Sequence, residues 1–304
     1  MGFTVERNSE LIFEGGFTAG WSHRTFGDDR TGVIRIRKTP VSAVQSVGWN
    51  INAGTVSFEV ASNLITKIST GFYNNNTSPA LEFKTSYAFS EAYDACLLNG
   101  YFWTDAGGGL FPRTMGTADI FLNDTTQRVA TLCGSAFSTF SGRWPATIEV
   151  LKQCEAGTHL VAQNMFLASE IEGNVTIAMY GTANPLILTN RAFASYGDII
   201  VGAGTMEFTA DASWLNGTNV TVSGTGRLKI GQGATFDRKH AVIRFADSGV
   251  IEIPEGVVQT FYEGWIGDRP LRQGLTYTAA DLPEHIAGAG AIHIARHGTY
   301  LMFR

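Results

Sequence analysis

The stretch that decides the fold lies between Glu170 and Pro254, where three segments resemble one another. Residues 199–208 read IIVGAGTMEF, residues 219–230 read NVTVSGTGRLKI, and residues 242–253 read VIRFADSGVIEI. Each segment holds two pairs of apolar residues at alternating positions, which is the period of a β-strand. A glycine-containing turn separates the two pairs. Each segment therefore predicts two short strands joined by a tight turn.

The apolar residues recur in three rows, at intervals of 20 to 23 residues. The rows are Ile199/Val201, Val220/Val222, Ile243/Phe245; then Leu186/Leu188, Met206/Phe208, Leu228/Ile230, Ile251/Ile253; and the single positions Ile171, Phe193, Trp214, Phe236. Three rows that keep one period describe a chain that coils and stacks each turn on the previous one. The sequence therefore predicts an all-β fold, a parallel β-helix (β-solenoid) with rungs of about 22 residues.

Stacking explains why the rows are apolar. Neighbouring strands lie about 4.8 Å apart, so like side chains form ladders, and burying each is worth about 1.5–3 kcal/mol. The positions between them carry polar residues such as Glu207, Thr221 and Lys229. Because crossovers between parallel strands are almost always right-handed, we expect a right-handed coil. An antiparallel sandwich would show hairpin signals and would not hold this register.

The rest of the chain is organised around these regular rungs, residues 166–256. Residues 1–165 read as irregular rungs with long loops, and the step from Ile34 to Val56 predicts that coiling begins near residue 30. Residues 257–304 break the repeat, and since the end of a solenoid exposes strand edges, they predict a cap and a final strand. No linker composition interrupts the chain, so we predict a single domain over residues 1–304.

Composition restricts the classes of function. The chain has 35 Gly and 20 Phe among 304 residues, only 16% charged residues and a net charge of −5. This composition suits an extracellular or cell-surface β-protein, and the absence of a basic stripe argues against a nucleic-acid partner. No apolar run is long enough for a membrane span, and residues 1–7 show no signal peptide. The sequence leaves the oligomeric state open.

The three cysteines, Cys96, Cys133 and Cys154, have neither zinc-site nor disulfide-framework spacing. They are consistent with three buried thiols, which we favour, or with one bridge and one buried thiol. No phosphate-binding loop, serine-hydrolase elbow or zinc-protease motif occurs in the chain. We therefore expect no metal and no cofactor.

Residues 202–208, 219–230, 236 and 250–256 resemble the autotransporter-associated β-strand repeat, in which a Gly-Thr step precedes alternating hydrophobic residues. Residues 274–278 and 286–294 are similar to the close of such arrays in bacterial secreted proteins, so the resemblance covers about residues 185–296. It implies a right-handed parallel β-helix on a bacterial surface, or a β-helical module attached to a secreted polysaccharide-acting enzyme. It brings no catalytic residues.

Two loops outside the regular rungs combine aromatic rings with polar groups that could stack on a sugar and bind its hydroxyls. For the first loop the alternative is a turn with ion pairs, and for the second a core strand with a tight turn. Imidazole and carboxylate groups could also supply an acid and a base. The candidate ligand-binding residues are Trp21, His23, Asp28, Asp29, Trp103 and Asp105.

Two further candidate binding groups are better explained by a structural role than by ligand binding. Trp214 could be a sugar platform, but its place in the third row favours the core. Residues 237–240 (Asp-Arg-Lys-His) could form a basic subsite, but a solvated turn between rungs is favoured.

Together these features favour a secreted or cell-surface β-helix module that binds a polysaccharide or surface glycan, or that is structural or adhesive. One alternative is a polysaccharide-degrading lyase or glycoside hydrolase on the same scaffold, and a second is a phage or filament structural protein. A lyase needs a base beside groups that neutralise a substrate carboxylate. No such cluster is visible in residues 170–254, which favours the non-catalytic module.

Overall fold

The computed structural model describes residues 2–14, 23–27, 31–37, 47–51, 54–59, 65–70, 79–89, 96–99, 118–134, 138–152, 166–189, 193–210, 212–214, 219–236 and 239–296. Within these ranges every regular element is a β-strand and no helix occurs. It follows that the described part of the chain contains no helix that is long and apolar enough to cross a membrane.

Fifteen strands precede the regular rungs or open them. They are β1 (Gly2–Val5), β2 (Glu10–Phe13), β3 (His23–Gly27), β4 (Val33–Ile36), β5 (Val47–Ile51), β6 (Thr55–Phe58), β7 (Ile65–Thr70), β8 (Ala80–Phe83), β9 (Cys96–Asn99), β10 (Ala118–Phe121), β11 (Thr126–Val129), β12 (Thr131–Gly134), β13 (Ser138–Val150), β14 (Phe166–Leu167) and β15 (Glu170–Met179).

Sixteen further strands, each of two to four residues, follow in the described part of the chain. They are β16 (Leu186–Leu188), β17 (Ala194–Ser195), β18 (Ile199–Val201), β19 (Thr205–Phe208), β20 (Ser213–Trp214), β21 (Asn219–Val222), β22 (Arg227–Ile230), β23 (Thr235–Phe236), β24 (Val242–Phe245), β25 (Val250–Glu252), β26 (Val258–Phe261), β27 (Glu263–Ile266), β28 (Arg269–Pro270), β29 (Thr276–Thr278), β30 (Ile286–Ala287) and β31 (Ala291–Ile294).

The chain passes back and forth between two long sheets. A 12-stranded sheet runs from β1 to β30, and a 14-stranded sheet runs from β2 to β28. Among the described strands, every pair is parallel except β27 with β28 and β29 with β31. Successive strands of one sheet come from successive turns of the chain, so the fold is the predicted parallel β-solenoid. The right-handed sense of the coil stays a prediction.

The predicted rows form adjacent ladders. Ile199 pairs with Val220, and Val220 pairs with Ile243, while Met206, Leu228 and Ile251 line up in the same way in the other sheet. All of these side chains are fully buried. The 21- to 23-residue spacing that the sequence predicts is therefore the length of one turn of the solenoid in this region.

The third row is an aromatic ladder on a third side of the coil. Phe193 bridges to Trp214, and Trp214 pairs with Phe236. The Phe193 and Trp214 rings lie 5.2 Å apart, and the row continues from Phe236 to Phe261 at 5.6 Å. Trp214 is 1% exposed, so it belongs to the core and cannot act as a sugar platform.

The beginning of the coil differs from the prediction. Gly2 of β1 already pairs with Arg24 of β3, so stacking starts at residue 2 rather than near residue 30. The sequence did not show this because the opposed segments, GFTV and HRTFG, lack the alternating apolar pairs of the regular rows. β1 and β3 therefore pair through their backbones, without the alternating apolar side chains of the regular rungs.

The C-terminal end is closed by strands that run against the coil. β28 lies antiparallel on β27 at the end of the 14-stranded sheet, and β29 lies antiparallel on β31. Pro270 in β28 has no N–H to offer a further strand, and Asp281 accepts the Thr278 N–H at 2.9 Å. The breakdown of the repeat after residue 256 therefore corresponds to a change from stacking to capping.

Candidate functional site

The sequence-predicted site lies almost entirely outside the described residues. Trp21, Asp28, Asp29, Trp103 and Asp105 are not among them, and His23 is described only as the first residue of β3. β5 and β7 lie between β3 and β9, the strand that precedes the second loop. The two strands are therefore about 14 Å apart along the coil axis at the usual strand spacing. The site itself stays a prediction.

The described residues reveal a second candidate surface, which we call the aromatic face. All of its members lie in or next to strands of the 14-stranded sheet, from the end of β8 to the start of β18. The other large exposed hydrophobic side chains of the described residues are aliphatic. The aromatic face consists of Tyr87, Phe121, Trp144, Tyr180 and Tyr196, which are 36–66% exposed.

A bulge in β13 places Trp144 on the surface. Gly142 pairs with Gly173 and Ala146 pairs with Val175, so three residues of β13 face one residue of β15. The extra length turns residues 143–145 outward, which leaves Trp144 59% exposed. Gly173 has φ +71°, and a Cβ there would collide with the carbonyl oxygen of Gly142. The close approach of these two backbones fixes the bulge.

The turn of the coil that follows β15 presents Tyr196 at the same corner. Ser195 pairs with Gly173, and the Tyr196 N–H donates to the Gly173 carbonyl at 2.6 Å. The buried Ser195 hydroxyl accepts the N–H groups of Val175 at 3.1 Å and Gly197 at 3.0 Å. It also lies 2.8 Å from the Val175 carbonyl oxygen. This hydroxyl satisfies backbone groups at the corner and so holds the loop that carries Tyr196.

Trp144 and Tyr196 therefore lie at the same corner of the coil, two turns apart. β15 lies between the strands that carry them, and it contributes Asn174 at this corner. Two strand spacings amount to about 10 Å along the coil axis. Tyr196 is 66% exposed, the largest exposure among the aromatic residues of the face.

The other edge of the aromatic face is held by an ion pair. Arg128 and Glu149 are opposed on β11 and β13 and form a salt bridge. The Arg128 guanidinium also lies 4.8 Å from the ring centre of Tyr87. Tyr180 rests on Gly202, where an added Cβ would lie 2.6 Å from the ring. Both tyrosines thus have fixed positions on the sheet.

The electrostatics of Tyr180 argue against its acting as a base. Partial burial raises the pKa of its phenol, and the Glu149 carboxylate raises it further, against a smaller opposing effect of Arg128. A tyrosine that acts as a base needs a pKa shifted downward, toward the working pH. Tyr180 therefore fits binding through its ring, not proton abstraction.

The free charges near the corner of Trp144 are few and mostly negative. Arg143 has a single contact within the described residues, with the Trp144 ring, 5.8 Å from its centre. Glu170 and Glu172 on β15 form no ion pair there. Arg128 and Glu149 neutralise each other. The remaining charges are therefore the Arg143 guanidinium and the carboxylates of Glu170 and Glu172, with a net charge of −1.

A denser charge cluster lies on the first four strands of the 14-stranded sheet, but its members are paired with each other. Glu59 accepts Arg35 at 2.7 Å, Arg37 at 2.9 Å and Lys84 at 3.3 Å, and Arg35 also pairs with Glu10 at 2.8 Å. Burial raises the pKa of Glu59, but these hydrogen bonds outweigh it and lower the pKa to about 2. The cluster stabilises the stack and offers no open site.

No group of three or more His, Cys, Asp or Glu side chains is placed to hold a metal ion within the ranges that the structure describes. Cys133 is buried. Cys96 lies on β9, and Cys154 lies outside the described residues.

Sequence reasoning missed the aromatic face because it searched the long loops. Trp144, Tyr180 and Tyr196 carry a weak signal, since each falls outside the three buried rows. Tyr180 and Tyr196 each also precede a glycine. An aromatic residue out of register in an otherwise regular ladder has no place in the core and must face the solvent. Applied with the correct register, that rule would have predicted that Tyr180 and Tyr196 are exposed, but not Trp144.

Comparison with known proteins identifies no relative: neither a family model, nor a curated protein, nor a solved structure matches the chain.

Proposed function

We propose that this protein is a non-catalytic β-solenoid module of a secreted or cell-surface protein, and that it binds glycans through the aromatic face. The observation that carries the proposal is that five exposed aromatic side chains lie in or beside strands of one sheet, two of them, Trp144 and Tyr196, at the same corner. Exposed apolar patches on soluble proteins mark interaction sites. Here four of the five rings, all but Phe121, also carry a hydrogen-bonding group.

The physical properties of the surface suit a sugar. Tyrosine and tryptophan offer a flat apolar surface together with a hydrogen-bonding group, as a pyranose ring with apolar C–H faces and equatorial hydroxyls requires. The parallel sheet fixes the backbone on both sides of these residues before binding, so little backbone entropy is lost on association.

The two alternatives find less support. Catalysis on the aromatic face would need a base of suitable pKa there, and the pKa of Tyr180 is shifted in the wrong direction for one. A filament built by end-to-end stacking would need a free parallel edge at each end of the solenoid. At the described C-terminal end the 14-stranded sheet closes with the antiparallel strand β28 and offers no such edge, while the 12-stranded sheet ends in the parallel strand β30.

A binding screen tests the proposal. The wild-type protein and the triple variant Phe121→Ser/Trp144→Ala/Tyr196→Ala are applied to a panel of soluble and insoluble polysaccharides, and the bound protein is quantified. Trp265→Ala is the matched control, since Trp265 also lies on the outer side of the 14-stranded sheet beside an arginine, 5.3 Å from Arg244.

We expect the wild type and Trp265→Ala to bind at least one polysaccharide and the triple variant to lose that binding while keeping its β-sheet circular dichroism spectrum. Equal binding by the triple variant would remove the aromatic face from the proposal. Release of reducing ends or unsaturated products by the wild type would contradict the non-catalytic function.

A further inference from the structure

We infer that the aromatic face takes a neutral, linear glycan that lies along the coil axis, with Trp144 and Tyr196 as platforms for two sugars separated by one sugar unit. This inference rests on the proposed function and adds the class and the direction of the ligand.

The direction follows from the register. Gly142, Gly173 and Ser195 are directly paired on three successive strands, and Trp144, Asn174 and Tyr196 follow these residues at the same corner. The three paired residues are therefore aligned parallel to the axis, at steps of about 4.8 Å, and Trp144 projects from the bulge beside them. A pyranose unit in an extended β-linked chain advances by about the same distance. A chain along the axis thus places every second sugar over an aromatic ring.

The middle position suits a sugar that is held by its hydroxyl groups. Asn174 is half-buried, and its side-chain amide forms no hydrogen bond within the described residues. An amide offers both two N–H donors and an acceptor oxygen, which can read a pair of neighbouring hydroxyls. Three successive turns therefore offer an aromatic ring (Trp144), an amide (Asn174) and a second aromatic ring (Tyr196).

The charge of the surface selects against acidic glycans. Glu170 and Glu172 lie on the same strand as Asn174 and are unpaired, while Arg143 is the one unpaired cation at this corner within the described residues. The whole chain also carries a net charge of −5. Uronate or sulfate groups spaced along a polymer would meet net repulsion, which costs most at low ionic strength.

A length series tests the direction of the ligand. Isothermal titration calorimetry is run with the disaccharide, tetrasaccharide and hexasaccharide of the neutral β-linked polysaccharide that binds best in the screen. A disaccharide reaches one platform, whereas a tetrasaccharide reaches both. We expect affinity to rise about tenfold or more from disaccharide to tetrasaccharide, about 1.4 kcal/mol, and little further for the hexasaccharide.

The decisive variants are Tyr196→Ala and Trp144→Ala, with Trp265→Ala as the control. Each of the first two should abolish the gain from disaccharide to tetrasaccharide, because one platform is missing, and Trp265→Ala should retain it. If the gain persists in Tyr196→Ala, the alignment of the glycan along the axis is wrong while glycan binding itself stands.

A charge series tests the ligand class. Polygalacturonate, alginate and heparin are compared with neutral glucans and mannans at low and at physiological salt. We expect the acidic polymers to bind more weakly at low salt than at high salt. Tighter binding of an acidic polymer would overturn the inference but not the proposed function. If no glycan binds the wild type, both fail, and a protein partner becomes the occupant to seek.

Discussion

The turns of the solenoid between Ile199 and Ile253 differ from those between Ala118 and Tyr196. In the first region the strands are three or four residues long on the two main sheets, and the turns are short and rich in glycine. In the second, β13 and β15 are 13 and 10 residues long, and a register shift interrupts their pairing. The exposed aromatic residues concentrate in the second region. The regular repeat thus allows the turns to stack, and the irregular strands expose the aromatic side chains.

Two tryptophans illustrate the contrast. Trp214 is 1% exposed and continues a ladder, while Trp144 is 59% exposed on a bulge. The same side chain is a core element in one region and a surface platform in the other because only the first one keeps the register. The predictions below test this division, beginning with the largest expected effect.

Replacing Trp214 by aspartate should cause the largest loss of stability. The change buries an unpaired carboxylate between the Phe193 and Phe236 rings, and we expect a loss of more than about 4 kcal/mol in the free energy of unfolding. Trp144→Asp is the matched control and should change this free energy by no more than about 0.5 kcal/mol. Chemical denaturation followed by circular dichroism measures both. Similar losses in the two variants would remove the distinction between ladder and platform.

The tight stacking of the regular turns is tested at Gly204. This residue has φ +67°, and a Cβ there would collide with the Gly181 carbonyl oxygen of the previous turn. Gly204→Ala should cost about 3 kcal/mol, since backbone strain and displacement of the neighbouring turn add up.

Gly256→Ala separates these two contributions. Gly256 has φ +76°, but no atom lies within 4 Å of the position of its Cβ. We expect a cost of about 1 kcal/mol from the backbone conformation alone. Equal costs at Gly204 and Gly256, measured as free energies of unfolding, would show that the turns are not tightly stacked.

The corner beneath the aromatic face depends on a buried hydroxyl. Ser195→Ala leaves the Val175 and Gly197 N–H groups without their acceptor, and we expect a loss of about 1–3 kcal/mol. Ser248→Ala is the control, because the Ser248 hydroxyl is exposed and donates one hydrogen bond, to the Gly224 carbonyl. A difference of less than a few tenths of a kcal/mol between the two variants would show that the hydroxyl does not organise this corner.

The smallest effect is expected in the paired charge cluster of the first strands. The pKa of Glu59 is lowered to about 2 in the folded protein and is about 4.3 in an unfolded chain. Its contribution is therefore complete above pH ~4.3 and is lost as the pH falls toward 2. Solvent screening limits it to about 1 kcal/mol.

Free energies of unfolding at neutral pH and near pH 3 measure this contribution. The wild type should lose more stability on acidification than Glu59→Gln, by up to that amount. A Glu59→Gln protein with the same loss as the wild type would show that the carboxylate is not held by its three cations.

The sequence predicted the fold well where side chains repeat. The register of Ile199, Val220 and Ile243 and the burial of Trp214 followed from spacing alone, because stacked turns impose like residues at one interval. The start of the coil at Gly2 was missed, since β1 and β3 pair through their backbones without an apolar pattern. Backbone hydrogen bonding leaves little trace in the sequence.

The candidate surface was not predictable in the same way. Trp144 is exposed because three residues of β13 face one of β15, and a single sequence does not show where such a mismatch falls. The predicted residues Trp21, His23, Asp28, Asp29, Trp103 and Asp105 were chosen for their chemistry in long loops, and they remain an independent prediction. The loop residues and the aromatic face are thus two different predictions of where a glycan binds.

Hydroxyl-radical footprinting with mass spectrometry tests the central claim directly, because it reports the protection of each aromatic side chain in the unmodified protein. With the neutral glycan that binds best, we predict that oxidation of Trp144 and Tyr196 falls while that of Trp265 is unchanged. Protection of Trp21 and Trp103, with Trp144 and Tyr196 oxidised as in the free protein, would contradict the assignment of the aromatic face as the binding surface.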